Sequence, residues 1–141
     1  MRLREVADGD LDAFYAHQSD RDAALLADVP TRERDAFDAH WARIRSDPQT
    51  VIRTVHADGQ VAGYVFTFIH SGHRVVGYWL GREFWGRGLA TQALAEFLAI
   101  IDERPLRATV APANRASVRV LEKNGFRLLG EEPDSLVFEL R

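Results

Sequence analysis

The chain has 141 residues, 46% of them hydrophobic and 28% charged, and a formal net charge of −3. That size and balance suit one globular domain with its own core, and they exclude the basic footprint of a nucleic-acid-binding protein. With no cysteine, disulfide scaffolds and thiolate metal sites are excluded too; without an apolar leader or a run long enough to span a membrane, a cytoplasmic location with no membrane partner is expected.

Arg2 to Val6 alternates and predicts a short edge strand. Asp8 or Asp10 is placed to cap a helix with Leu11, Phe14 and Tyr15 on one face. Ser19 to Pro30 is polar apart from Leu25 and Leu26 and is expected as a mobile loop. Thr31 then caps a second helix, with Phe37, Trp41 and Ile44 at helical spacing and a stop before Asp47-Pro48. Thr50 to Ala57 and Gln60 to Ile69 read as strands joined by the hairpin signal Asp58-Gly59. A second hairpin is expected at Ser71-Gly72, leading into a strand through Val75.

Beyond that strand, Ala90, Leu94, Phe97, Leu98 and Ile101 form an apolar stripe of helical period, ended by Pro105. Leu106 to Val110 makes another strand, and Asn114 is placed to cap a helix that stops at Gly125. Phe126 to Leu129 and Leu136 to Leu140 read as closing strands around Pro133-Asp134. Hairpins first, then helix and strand in alternation, predict a mixed sheet with helices on both faces.

Val75 to Thr91 carries the chemistry. An apolar strand passes through Gly81, Gly86 and Gly88 and opens a long helix. Such a turn presents bare backbone N–H groups at the positive end of a helix, a site for an anion such as a diphosphate. Arg82 and Arg87 are candidates to supply cations beside it, and either also reads as solvated surface. The other reading is a glycine turn with no ligand. A Walker loop is excluded because Arg87 and Gly88 follow Gly86 where Lys and Ser or Thr are required. The dinucleotide fingerprint fails at Thr91, which stands where its third glycine belongs.

Phe84-Trp85-Gly86-Arg87-Gly88-Leu89-Ala90-Thr91 resembles motif A of the GNAT N-acetyltransferase superfamily, Gln/Arg-x-x-Gly-x-Gly/Ala. Gly88 and Ala90 match its last two fixed positions, and Trp85 replaces the leading Gln or Arg. Val110 to Phe126 resembles motif B of the same superfamily, in the expected order and at the expected separation. Gly77-Tyr78-Trp79-Leu80-Gly81 and the run Val120 to Phe126 are most similar to the RimJ/RimL-like branch.

The resemblance implies a GNAT-like α/β (α+β) fold over residues 1–141, with a mostly antiparallel central sheet. It implies an N-acetyltransferase that moves the acetyl group of acetyl-CoA to a primary amine by direct attack in a ternary complex. The cofactor-binding candidates are Leu80, Arg82, Trp85, Gly86, Arg87, Gly88, Leu89, Ala90, Thr91, Asn114 and Ser117. Leu80 is the candidate for a backbone donor to the acetyl oxygen, as in this superfamily, and Ser117 for the group that serves the leaving thiolate, as in this branch. The tyrosine that many members carry in motif B is Leu121 here, which cannot donate. Asn114 and Ser117 also read simply as a cap and a first-turn polar residue.

For a base, Glu83 lies beside the loop and Tyr78 on the central strand. His70-x-x-His73 has no third ligand at a telling spacing, so no metal is expected. Trp41, Trp79 and Trp85 read as core or cleft wall. The segment between the first strand and the second helix shapes the acceptor pocket in the family. The branch points to a protein α-amino acceptor, such as that of a ribosomal protein; a small amine, an amino acid or an antibiotic stands beside it. A non-catalytic acyl-CoA-binding or sensing module is the rival class. The assembly is expected to be a monomer or homodimer.

Overall fold

The computed structural model describes residues 1–27 and 31–141. In chain order its elements are β1 (Arg2–Glu5), α1 (Asp10–Gln18), α2 (Arg21–Ala27), α3 (Arg34–Ser46), β2 (Val51–Ala57), β3 (Gln60–His70) and β4 (His73–Leu80). They continue with α4 (Leu89–Ile100), β5 (Leu106–Val110), α5 (Arg115–Lys123), β6 (Arg127–Glu132) and β7 (Ser135–Leu140). The strands form one seven-stranded sheet in the order β1-β2-β3-β4-β5-β7-β6. Every neighbouring pair is antiparallel except β4 and β5.

Local chemistry accounts for the hairpins. Asp58 and Gly59 have φ of 55° and 73°, and Ser71 and Gly72 have 50° and 77°. Positive φ at both central residues gives the turn whose twist matches that of the strands it joins. The parallel β4–β5 pair cannot be closed by such a turn, so the chain crosses over through α4.

The sheet separates two apolar clusters. On one face, Leu89, Ala93, Leu94 and Phe97 of α4 and Leu121 of α5 pack with Val65, Val76, Leu80, Leu106 and Phe138. On the other, Phe14 of α1 and Phe37 and Trp41 of α3 pack against Ile52, with Tyr64 and Phe66 beside them. Leu94 and Phe97 are both 0% exposed, so truncating either to Ala costs about 2–5 kcal/mol. The expected mixed sheet with helices on both faces is the observed architecture.

Several local expectations are corrected. Ser19 to Pro30 is not a loop throughout: Arg21–Ala27 is helical, burying Ala23 and Ala24, while positions 28–30 lie outside the described residues. Thr31 does not cap α3, which starts after Glu33. Neither Asp8 nor Asp10 caps α1; Gly9 holds that position.

Asp10 has a different task. Its carboxylate accepts two bonds of 2.8 Å from the Arg4 guanidinium, one of 2.9 Å from the Ala7 N–H and one of 2.7 Å from the Thr54 hydroxyl. These bonds tie β1, the entry to α1 and β2 together. Burial alone pushes the Asp10 carboxyl up, but the Arg4, Ala7 and Thr54 donors more than reverse it, holding the group at about 2 against an ordinary 3.8. Because the folded-state value is depressed, the stabilisation is complete above the ordinary value and is lost as pH falls through about 2. Asp10→Ala, which strands Arg4 and Thr54, is expected to lower the denaturant-unfolding free energy by about 3–5 kcal/mol at neutral pH. It should also flatten the acid limb of the stability profile.

Candidate active site

The site begins where β4 leaves β5. Gly81 N–H donates to the Ala62 carbonyl at 2.9 Å, and Tyr64 faces Trp79 in the same register. Antiparallel pairs alternate, so the odd-numbered residues of β4 bond to β3, while the backbone groups of Tyr78 and Leu80 point toward β5. Yet β4 and β5 pair only at Arg74↔Leu106 and Val75↔Arg107 among the described residues. From there the strands part, and the Leu80 N–H faces an open gap. The Leu80 carbonyl in that gap accepts the Trp85 indole N–H at 3.0 Å, which satisfies one of the exposed groups.

After Leu80 the chain makes a short 3₁₀ turn, Arg82–Phe84, anchored by the buried Phe84. Gly86 and Gly88 follow, both with φ of 74°, a conformation that costs any other residue about 1–2 kcal/mol. A Cβ at either would meet no protein atom within 4 Å, so the space beside them is open. The first bond of α4 runs from the Gln92 N–H to the Gly88 carbonyl. The preceding N–H groups of Leu89, Ala90 and Thr91 have no partner among the described residues, as a helix start requires unless something binds there.

A cavity of about 380 Å³ occupies this gap. Of the sequence-predicted residues, Leu80, Trp85, Gly86, Gly88, Leu89, Ala90, Thr91, Asn114 and Ser117 line it. Arg82, Glu83 and Arg87 do not. Arg82 bonds Asp20 at 2.5 and 2.6 Å and lies 3.4 Å from Asp22, while Arg87 is engaged by Asp58. These are exposed ion pairs, worth at most about 1 kcal/mol each, so they are latches that water or a stronger anion can open.

Glu83 is 66% exposed and stands 3.6 Å from the His17 Nε2, on a separate hollow bordered by Asp20 and Arg82. It does not line the cavity. The cations that do line the cavity are Arg119 and Lys123 of α5, which sequence reasoning passed over. Their spacing of four residues on the helix capped by Asn114 was the available signal.

Asn114 is the α5 cap: its side-chain oxygen accepts the Ser117 N–H at 3.3 Å. The Tyr78 hydroxyl lies 2.6 Å from the Ser117 Oγ, joining β4 to the first turn of α5. Burial pushes the Tyr78 phenol up to about 12, partly countered by the Ser117 bond. Leu121, where many family members carry tyrosine, is 1% exposed and packed in the core. The far wall of the cavity comes from Ala23, Leu26 and Ala27 of α2 together with Trp79. Helices of both faces therefore border a single space.

His17 supports this wall from behind. A Cβ added to Gly81 would stand 2.5 Å from its ring, so Gly81 is what lets α1 close on the end of β4. Burial holds the His17 imidazole below its ordinary value, with Glu83 pulling partly the other way. Gly81→Ala is expected to lower the melting temperature and cost about 1–3 kcal/mol through this clash. A drop of that size in a thermal scan checks it; an unchanged scan would mean the ring moves freely.

The sequence matches the family model described as an acetyltransferase (GNAT) domain over residues 1–127. That match covers most of the chain and defines an acetyltransferase domain, and the chain belongs to the GNAT family. No curated protein matches the sequence. Among solved structures, the chain is similar to spermidine N-acetyltransferase from Vibrio cholerae in complex with CoA and spermine, at 19% identity and TM-score 0.81, covering 98% of this chain and 92% of that one. It is similar to ribosomal-protein-alanine N-acetyltransferase from Brucella melitensis at 19% identity and TM-score 0.79, covering 99% of each chain. It is also similar to Mycobacterium smegmatis RimJ in complex with CoA-disulfide, at 23% identity and TM-score 0.79, covering 98% of this chain and 80% of that one.

Proposed function

We propose that residues 1–141 form a single domain that moves the acetyl group of acetyl-CoA to a primary amine by direct transfer in a ternary complex. The observation that carries this reading is the one cavity reached from both faces of the sheet, with the Leu80 N–H in the gap between them. A donor and an acceptor entering from opposite faces meet there. Holding them in line accounts for roughly 7–11 kcal/mol of barrier reduction in well-oriented cases.

The residues present fit the cofactor. The open space at Gly86 and Gly88 and the bare amides opening α4 suit a diphosphate, with Arg119 and Lys123 as the cations on the cavity wall. Arg82 and Arg87 join them only by leaving Asp20 and Asp58. When bound, acetyl-CoA supplies an activated acetyl group and a thiolate leaving group. The Leu80 N–H is aimed at the gap, where it donates to the acetyl oxygen as negative charge develops there. The Ser117 hydroxyl donates a hydrogen bond to the departing sulfur, Asn114 holds the turn that presents it, and the proton the amine loses as the amide forms ends on that thiolate or in solvent.

Among the described lining residues there is no carboxylate or imidazole. The amine attacks in its neutral form, whether it arrives so or gives up its proton to a base acting through water. Leu121, packed in the core where many family members carry tyrosine, favours a second reading, a non-catalytic acyl-CoA-binding module. Thiol release that depends on an added amine separates the two. For the acceptor, the likeness to the RimJ/RimL branch supports a protein N-terminus, and the spermidine acetyltransferase fold supports testing small amines beside it.

Calorimetric titration with acetyl-CoA should give one-to-one binding that Gly88→Trp abolishes; no binding in the intact protein would remove the enzyme reading. With a peptide acceptor, kcat/KM should rise with pH toward the α-amino pKa of about 8, whereas an alkylamine acceptor keeps rising to about 10. Ser117→Ala should lower kcat by about 10–100-fold with the affinity for acetyl-CoA retained.

A further inference from the structure

We propose that Tyr78 is a positioning residue for the thiolate-facing group: its hydroxyl donates to the Ser117 Oγ, so that the Ser117 hydrogen is left to point at the sulfur. The inference rests on the cofactor reading above and assigns a role to a residue that motif B does not contain.

Geometry brings the two hydroxyls together and leaves either able to donate. The Tyr78 oxygen lies 2.6 Å from the Ser117 Oγ and 3.2 Å from the Ser117 carbonyl. That carbonyl belongs to the first turn of α5, where the helix ladder already uses it. The hydroxyl is the closer acceptor and has no competing donor among the described residues. Two arrangements satisfy the pair: Tyr78 donates to Ser117, or Ser117 donates to Tyr78. An anion beside Ser117 selects the first, because a bond to a charged acceptor is about twice as strong as a neutral one. Chained hydrogen bonds of this kind also strengthen one another.

Titration explains why Tyr78 positions and does not supply the proton itself. Buried on β4, the phenol is held up at about 12, so it stays protonated across the working range. A thiol ionises near 8.5, well below that, so a net transfer from Tyr78 to a thiolate runs uphill. The tyrosine is a permanent donor that orders Ser117. Asn114 fixes the Ser117 backbone while Tyr78 fixes its side chain. With Leu121 in the core, β4 provides the phenol that the α5 position lacks.

A plain tether between β4 and α5 would use the same bond, so the test reads the sulfur. The protein has no cysteine, and the CoA thiol is therefore the one thiol in its complex with CoA. The pH dependence of its alkylation by iodoacetamide, under saturating protein, reports the pKa of the bound thiol without any acceptor amine. The intact complex is expected to titrate below free CoA. Tyr78→Phe and Ser117→Ala should each raise the bound value by about one unit, and the double variant no further. If Tyr78→Phe titrates like the intact protein while Ser117→Ala is raised, or if the two shifts add in full, Tyr78 is only a tether and the proposal is overturned. Ser117→Ala keeps the ring in place, so it serves should Tyr78→Phe fold poorly: the proposal then requires a raised value from Ser117→Ala, and an unchanged one overturns it. Failure of CoA to bind at all would overturn the cofactor reading first, a result calorimetry separates from a normal affinity with an unshifted pKa.

Discussion

Two parallel strands that stop pairing halfway along leave backbone groups with no partner, and the site is built around that deficit. Past Val75 and Arg107, β4 and β5 part, although both continue, to Leu80 and Val110. Unpaired polar groups in a sheet interior are costly, so something must answer them. Trp85 returns its indole N–H to the Leu80 carbonyl, and the start of α4 brings more bare amides to the same opening. The fold concentrates unused donors in one place. A ligand rich in oxygen is the natural complement.

Rigidity around the gap comes from the face covered by α1 and α3. Asp10 locks β1, the α1 entry and β2 through Arg4, Ala7 and Thr54, and His17 seats α1 against Gly81 at the end of β4. Phe14, Trp41 and Tyr64 fill the space between with rings 4.8–5.0 Å apart. Exposed pairs such as Arg82–Asp20 add little energy. They do tie the approach to α2 to the loop after β4, and α2 forms the cavity wall opposite α5. Stability and access are therefore assigned to different interactions: a buried network for the frame and solvent-screened ion pairs for the parts nearest the opening.

Much of the fold was legible because its signals are local. Asp58-Gly59 and Ser71-Gly72 require positive φ, Asn114 caps and Gly125 ends α5 at φ of 88°, and the stripe through Leu94 and Phe97 marks the buried face of α4. The glycine turn was equally readable, since Gly86 and Gly88 adopt a conformation that few other residues accept. Helix α2 was missed because its seven residues are too short for a clear period and owe their place to burial of Ala23 and Ala24. The Thr31 and Asp10 caps failed for a related reason. A short polar side chain is equally able to bond elsewhere, and Asp10 does so across to Arg4 and Thr54.

By itself, then, the sequence determined most of the elements and the glycine turn, because capping, turn chemistry and periodicity act over a few residues, and its resemblance to two motifs pointed to the acetyltransferase family. Tertiary structure decided which charges face the cavity. Arg82, Glu83 and Arg87 sit beside the turn in sequence yet find partners at Asp20, His17 and Asp58, while Arg119 and Lys123 arrive from α5. It also brought the Tyr78 hydroxyl to Ser117, 39 positions later in the chain. Long polar side chains reach several ångströms in any direction, so their partners are set by the packing of distant segments, which no local pattern records.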